Sequence, residues 1–265
     1  MKYFHTLDKT DGYQDLNDEA CNLLKFGKLS LKKGEAYEGS VAADRELMLV
    51  MLSGKAEVSV GGRTFTVGGR ANVFAGNAHS LYLPRGSSFT VNALSDTEAA
   101  LPTGPSELDT DPYEIKPDEV QTGQWGTLNY TRYFRQIAVH GDGHPVSRLI
   151  VGETITPSGN WSTYPPHKHE VNEGGEVFHE EMYYFRNASP DGYGLVQHYS
   201  PERGYDDVYR VTDDTLLSMP HGYHCYAAAP GTASYYLWFL AGDGRAQGAS
   251  FDPKVGWVQK TVGMV

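Results

Sequence analysis

The sequence predicts an all-β fold built from two related halves, and three observations carry that expectation. Short runs rich in β-branched and aromatic residues alternate with Gly, Pro, Asn and Asp, the pattern of strands joined by turns. Long stretches of helical period are scarce. The pattern also occurs twice: "LYLPRGSSFTV" and "LLSMPHGYHCYAA" both read as strand, proline, glycine, strand, late in each half.

Taken in order, "LMLVMLSGKAEVSVGGRTFTVGG" reads as three strands joined by two turns. Ala56, Val58 and Val60 share one face, Gly61 and Gly62 supply a hairpin turn, and Phe65 and Val67 follow on the return strand. "NVFAGNAHSLYLPRGSSFTVNAL" continues in the same way. The stretch "LPTGPSELDTDPYEIKPDEVQTGQWG" is rich in proline and acids, lacks core-forming periodicity and reads as a solvated linker that carries at most one strand. Beyond it "MYYFRN", "GYGLVQHYS", "DDVYRV", "TLLSMPHGYHCYAAAPG" and "ASYYLWFLAG" are again short strands. The expected organisation is a first β unit over residues 1–110, a linker over 111–128 and a second β unit over 129–265.

The chain has 265 residues, enough for two ordinary domains or one large β domain. It contains no run of about 18 apolar residues and no apolar segment near its start, so neither a membrane span nor export is expected. Two cysteines, Cys21 and Cys225, give no disulfide framework and fit a reducing compartment, which places the protein in the cytoplasm. A formal net charge of −11 disfavours nucleic acid and anionic membrane as partners. A small neutral or anionic molecule in a local pocket remains as the partner, and homo-oligomer formation is left open. The glycine pairs are turns, and the absence of a strand-bound GxGxxG argues against a nucleotide cofactor.

The stretch "WSTYPPHKHE" sets His167 and His169 one residue apart. On a strand both point the same way, about 7 Å apart by backbone rise, with Lys168 on the other face. A divalent metal such as zinc, manganese or iron takes three or four imidazole and carboxylate groups. "FHEEMYYFR" offers Glu180 and Glu181, and "MPHGYHCY" offers His221 and His224. Only the second half carries histidine at this turn, so the chemistry is expected there and the first half is expected to be structural.

The order HxH, Glu and then a distant His after a Pro-Gly turn resembles the metal site of the cupins. The twelve residues from His169 to Glu181 exceed the usual cupin spacing, and "EVNEGGEVFHE" reads as a loop inserted there. More closely, "TPSGNWSTYPPHKHE", "EEMYYFRN", "MPHGYHCYAAAPG", "YYLWFLAG", "LMLVMLSGKAEVSVGG" and "NYTR" resemble the 5-deoxy-glucuronate isomerases of myo-inositol catabolism, over most of the chain. The resemblance implies tandem cupin barrels, a bicupin, with one divalent metal ion, zinc or manganese, held in the second by His167, His169, Glu181 and His224. It also implies an aldose–ketose isomerase that converts 5-deoxy-glucuronate to 2-deoxy-5-keto-gluconate.

Three positions depart from the resemblance: His221 stands for an expected arginine, Phe185 for histidine and Cys225 for proline. Candidates for the proton-transferring group are His221 and His179, while strand parity turns Glu180 away from Glu181. Tyr183 and Tyr199 are candidates to bind the uronate. Alternative readings are an isomerase of another uronate, of the pectin-derived 5-keto-4-deoxyuronate type, a cupin dioxygenase, and a non-catalytic sugar-binding cupin.

Overall fold

The computed structural model of the chain describes residues 3–16 and 18–264, so the outer ends of the two expected units, residues 1 and 265, lie outside the described residues. Its strands form four antiparallel sheets, two per half. In the first half, a six-stranded sheet runs in the order Tyr113–Ile115, Ser80–Leu83, Arg45–Ser53, Thr97–Pro105, Lys25–Leu31, Gly12–Leu16. It faces a four-stranded sheet of Ala36–Ser40, Ser88–Ala93, Lys55–Val60 and Arg63–Gly68. The second half repeats this plan. Its larger sheet runs Phe4–Thr6, Thr215–Met219, His179–Asn187, Ser234–Gly242, Ile150–Thr156, Arg132–Ala138, Gln121–Trp125. Its smaller sheet runs Tyr205–Val211, Gly194–Ser200, Tyr223–Ala228, Trp161–Lys168, Ser250–Phe251.

Local sequence explains the strands. In Lys55–Val60, Ala56, Val58 and Val60 are buried, and Gly61 and Gly62 turn the chain back at φ 56° and 73°, the left-handed region a tight hairpin needs. The two "Pro-Gly" echoes occupy equivalent places, since each carries the chain from the larger sheet of its half to the smaller one. Residues Leu47 to Leu52 and all of Ser234–Gly242 are buried without alternation, because these strands are covered on both faces. Leu47, Leu49 and Met51 fill the first barrel, while Met48, Val50 and Leu52 point into a central core. Likewise Tyr183 and Phe185 face into the second barrel, and Met182 and Tyr184 enter the same central core.

That central core joins the halves. Phe26 of the first stacks on Tyr184 and Phe239 of the second at centroid distances of 5.2 and 5.6 Å. Polar ties cross it reciprocally. The Glu46 carboxylate accepts hydrogen bonds from the backbone N–H groups of Ser147, Arg148 and Leu149, and Glu180 accepts from those of Asn22, Leu23 and Leu24. Edge strands add to this: Phe4–Thr6 crosses to pair with Thr215–Met219 of the second half, and Tyr113–Ile115, from the expected linker, pairs with Ser80–Leu83 of the first.

The acidic stretch read as a solvated linker is therefore anchored. Tyr113 stacks on Tyr82 at 5.0 Å, Ile115 is fully buried, and Gln121–Trp125 pairs with Arg132–Ala138. Its few apolar residues suffice to dock it, although they recur with no readable period. Among the described residues, no helix is long and apolar enough to cross a membrane.

Candidate metal centre

Antiparallel pairing of Trp161–Lys168 with Tyr223–Ala228 sets His167 directly opposite His224, ring centroids 4.6 Å apart. Alternation sends Lys168 to the outer face, where its ammonium lies over the Tyr223 ring and pairs with Glu170. Upstream the pairing slips between Ser162 and His167, and Thr163 adopts φ 52°. The displaced backbone places Thr163, Tyr164 and Pro165 on the cavity wall.

Glu181 comes from His179–Asn187 in the larger sheet. The long insertion before it closes at its base: the His179 N–H donates to the His169 carbonyl at 2.9 Å, and the Glu176 carboxylate accepts from the N–H groups of Glu170 and Val171. Residues far apart in sequence thus meet at the barrel floor. Glu181 Oε2 lies 3.0 Å from His169 Nε2 and 3.2 Å from His224 Nε2, and one ligand atom from each of His167, His169, Glu181 and His224 falls within 4.8 Å of all the others.

Burial pushes the Glu181 carboxyl up, but hydrogen bonds and charge from His169 and His224 outweigh it and hold the group far below the usual carboxylate range. Burial, then His224 and His169, keeps His167 neutral well below the ordinary histidine value. Burial also opposes charge on His169, yet the Glu181 carboxylate prevails and its pKa is raised. His169 Nδ1 lies 2.7 Å from the carbonyl of His179; donation there aims Nε2 at Glu181, and loss of the Nε2 proton would turn its lone pair to an ion bound between them. Three imidazoles and a carboxylate converging in one buried space fit a divalent ion of intermediate hardness, so this group could hold a metal.

The group opens into a cavity of about 520 Å³. Trp125, Tyr164, Trp238, Leu240 and Phe251 supply much of its apolar wall. Of the other residues expected here, Tyr183 belongs to the site: its hydroxyl lies 3.2 Å from His224 Nε2. His179 also lines the cavity, with Nδ1 3.2 Å from the carbonyl of Val177 and Nε2 3.1 Å from that of Gly244. His221 and Tyr199 do not line it. His221 lies behind the barrel wall, its ring nitrogens 3.2 Å from the hydroxyl of Tyr3 and 3.0 Å from that of Tyr205. Tyr199 pairs with Tyr223, one position off the His198–His224 pair, so it faces outward, stacks on Tyr223 and donates to Asp252.

Sequence reasoning missed Arg132, Gln247 and Gln259, all on the cavity wall. Arg132 lies inside "NYTR", a stretch that the resemblance already marked. Gln247 lies in "GDGRAQGAS", between the strands Ser234–Gly242 and Ser250–Phe251, and Gln259 in "GWVQKT", part of the closing segment Gly256–Met264, where Thr261 Oγ1 meets the Tyr130 hydroxyl.

Fold and site together define a two-barrel cupin with a candidate metal centre in its second barrel. The model of the KduI/IolB family matches residues 4–258, and the chain belongs to that family. It is 33% identical to the 5-deoxy-glucuronate isomerase of Geobacillus thermodenitrificans over 239 residues, 89% of this chain and 86% of the relative. The 5-deoxy-glucuronate isomerase of Bacillus subtilis strain 168 is 32% identical over 238 residues, 89% and 87% of the two chains. The crystal structure of an IolB-like protein from Salmonella typhimurium LT2 superposes with a TM-score of 0.91 at 29% identity, covering 97% of this chain and 99% of that one. Oxalate decarboxylase from Lactobacillus farciminis shares the fold, with a TM-score of 0.66 at 11% identity over 95% and 89% of the chains.

Proposed function

We propose that the protein is a metal-dependent aldose–ketose isomerase that converts 5-deoxy-glucuronate to 2-deoxy-5-keto-gluconate. The observation that carries this reading is the convergence of His167, His169, Glu181 and His224 on one point of a cavity sized for a single sugar acid. The chain's relatives, named as isomerases of that uronate, support it. The four residues would hold one divalent ion, zinc or manganese. When bound, that ion supplies Lewis-acid polarisation of the substrate's carbonyl oxygen and of the neighbouring hydroxyl oxygen.

The chain's own side chains do the remaining work. Tyr183 Oη, beside His224 Nε2, offers a hydrogen bond to one of the reacting oxygens. Isomerisation takes a proton from the hydroxyl-bearing carbon and returns one to the former aldehyde carbon, which needs a group that both accepts and donates. Of the two histidines expected to do this, His179 alone lines the cavity; a turn of its ring away from the Gly244 carbonyl frees Nε2 for that task. Trp125, Trp238 and Leu240 restrict water around the exposed proton.

Purified metal-loaded protein incubated with a panel of uronates and followed by NMR tests the reading. The aldehyde signal of 5-deoxy-glucuronate should disappear fastest. Faster turnover of a pectin-derived 5-keto-4-deoxyuronate would reassign the substrate, and no turnover of any uronate would overturn the proposal.

A further inference from the structure

The cavity holds a cation that has no counter-ion. Arg132 opens the strand Arg132–Ala138, opposite Trp125 in register, and its guanidinium lies on the cavity wall. Nη1 donates to the Tyr130 carbonyl at 3.2 Å, the guanidinium carbon stands 5.9 Å from the centre of the Trp125 ring, and Nε is buried without a hydrogen-bond partner. Among the described residues no carboxylate lies within ion-pair distance of it. The buried Arg70 and the half-buried Arg186 are by contrast neutralised: Arg70 pairs with Glu153, and Arg186 with Glu98 and Asp214. Burial is the main influence on Arg132 and holds its pKa below the ordinary arginine value; the groups acting against it are the phenols of Tyr236, Tyr183 and Tyr130.

Space is kept for this guanidinium. Gly126 has φ 71°, and a Cβ there would come within 2.6 Å of Arg132 Nη1 and 2.2 Å of the Tyr130 carbonyl oxygen. Arg132 and Glu181 line the same cavity from strands three apart in one sheet; the pairing sets Arg132 toward the Asn187 end of the strand that carries Glu181, so the two face the cavity from different levels. Among the described cavity-lining residues Arg132 is the one arginine or lysine, and Glu181 the one carboxylate.

We propose that Arg132 is the specificity residue that binds the substrate's carboxylate, holding the acid end of the sugar while its carbonyl end faces His167, His169, Glu181 and His224. This rests on the uronate-isomerase reading above for the identity of the acid, but not for the binding of a carboxylate. A half-buried guanidinium whose Nε–H is unspent gains two hydrogen bonds and an ion pair from a carboxylate, but only one hydrogen bond, and no ion pair, from the carbonyl oxygen of a neutral amide. The same contact would disfavour the aldehyde sugars that lack an acid group, because the buried Nε–H would then stay unpaired.

The test is calorimetric titration of the purified protein with glucuronate and with glucuronamide, its neutral isostere, alongside metal content and thermal unfolding. Wild type should prefer glucuronate by about 10- to 100-fold; Arg132→Gln should erase the preference at unchanged metal content, and in turnover should raise KM with a smaller change in kcat. A wild type without the preference, or an Arg132→Gln protein that keeps it, overturns the assignment. If Arg132→Gln does not fold, Arg132→Lys decides: weakened glucuronate binding with unchanged glucuronamide binding supports the assignment, and unchanged binding of both overturns it. The two readings fail separately. Loss of the charge preference in Arg132→Gln, with no wild-type turnover of 5-deoxy-glucuronate, sinks the substrate and leaves the carboxylate site standing. Wild-type turnover with an unaltered preference in the variant does the reverse.

Discussion

Glu181 Oε2 touches both His169 and His224, so the carboxylate organises the candidate ligand group as well as belonging to it. Removing a single imidazole should weaken metal binding without unfolding the barrel, whose core is built from apolar strand faces. His167→Ala and His224→Ala should each leave clearly substoichiometric metal by elemental analysis after reconstitution, with a cooperative thermal transition retained; loss of that transition would make the metal structural instead. The second residue-scale prediction separates two roles for His179. If it moves the proton, His179→Gln should retain metal and lower kcat by about two to four orders of magnitude. If it only pins the loop through the carbonyls of Val177 and Gly244, stability should fall while kcat stays within a few-fold.

At the scale of the element, one strand carries two adjacent glutamates with opposite tasks. Glu181 faces the barrel and Glu180 the other half, where it accepts three backbone N–H bonds. Glu180→Gln should therefore cost about 2–3 kcal/mol in denaturant unfolding and spare metal content, whereas Glu181→Gln should lose metal. Equal effects on metal would contradict the strand parity. This alternation was legible in "FHEEMYYFR", as was the HxH spacing, because both depend on neighbouring residues with a period of two. Cross-strand pairing was not legible. Tyr199 reads as a plausible sugar contact until its pairing with Tyr223 turns it outward, and His221 reads as a candidate base until its turn is seen behind the wall. The departures noted at His221 and Cys225 fall outside the cavity lining. Leu47 takes the register in the first half that Glu181 takes in the second: it pairs with Leu83 and Thr103 as Glu181 pairs with Met219 and Leu240. An apolar residue there completes a barrel core, so both halves share the fold and one carries the candidate ligand carboxylate.

Across the whole molecule, the halves are joined too closely to be read as beads on a linker. The pairings of Phe4–Thr6 and Tyr113–Ile115 could not be read from sequence, since such short strands pair with residues far along the chain and carry no period of their own. A charge cluster around the buried Lys28 and Asp214 adds to the seam, where Lys28 and the half-buried Arg186 meet Asp214 and Glu98. Burial pushes the Asp214 carboxyl up, but Arg186 and Lys28 outweigh it, and the same pair holds Glu98 below its ordinary value. A carboxyl depressed in the folded state binds fewer protons than in the unfolded chain, so its stabilisation is present above the unfolded pKa of about 4 and is lost as pH falls through the folded value. Thermal unfolding should hold steady from neutral pH to about 5 and then drop, with a shallower drop in Asp214→Asn; an unchanged slope would remove this cluster from the account. The centre of the seam is Phe26, and Phe26→Ala should cost about 3–5 kcal/mol.

The central claim is that one divalent ion at His167, His169, Glu181 and His224 makes this family member an isomerase of 5-deoxy-glucuronate. The most direct measurement is NMR of that substrate with protein stripped by chelator and then titrated with zinc or manganese. The account predicts negligible turnover in the stripped protein and recovery that saturates at about one ion per chain, with no recovery in His167→Ala. Full turnover by the stripped protein, or none by the fully loaded one, would contradict it.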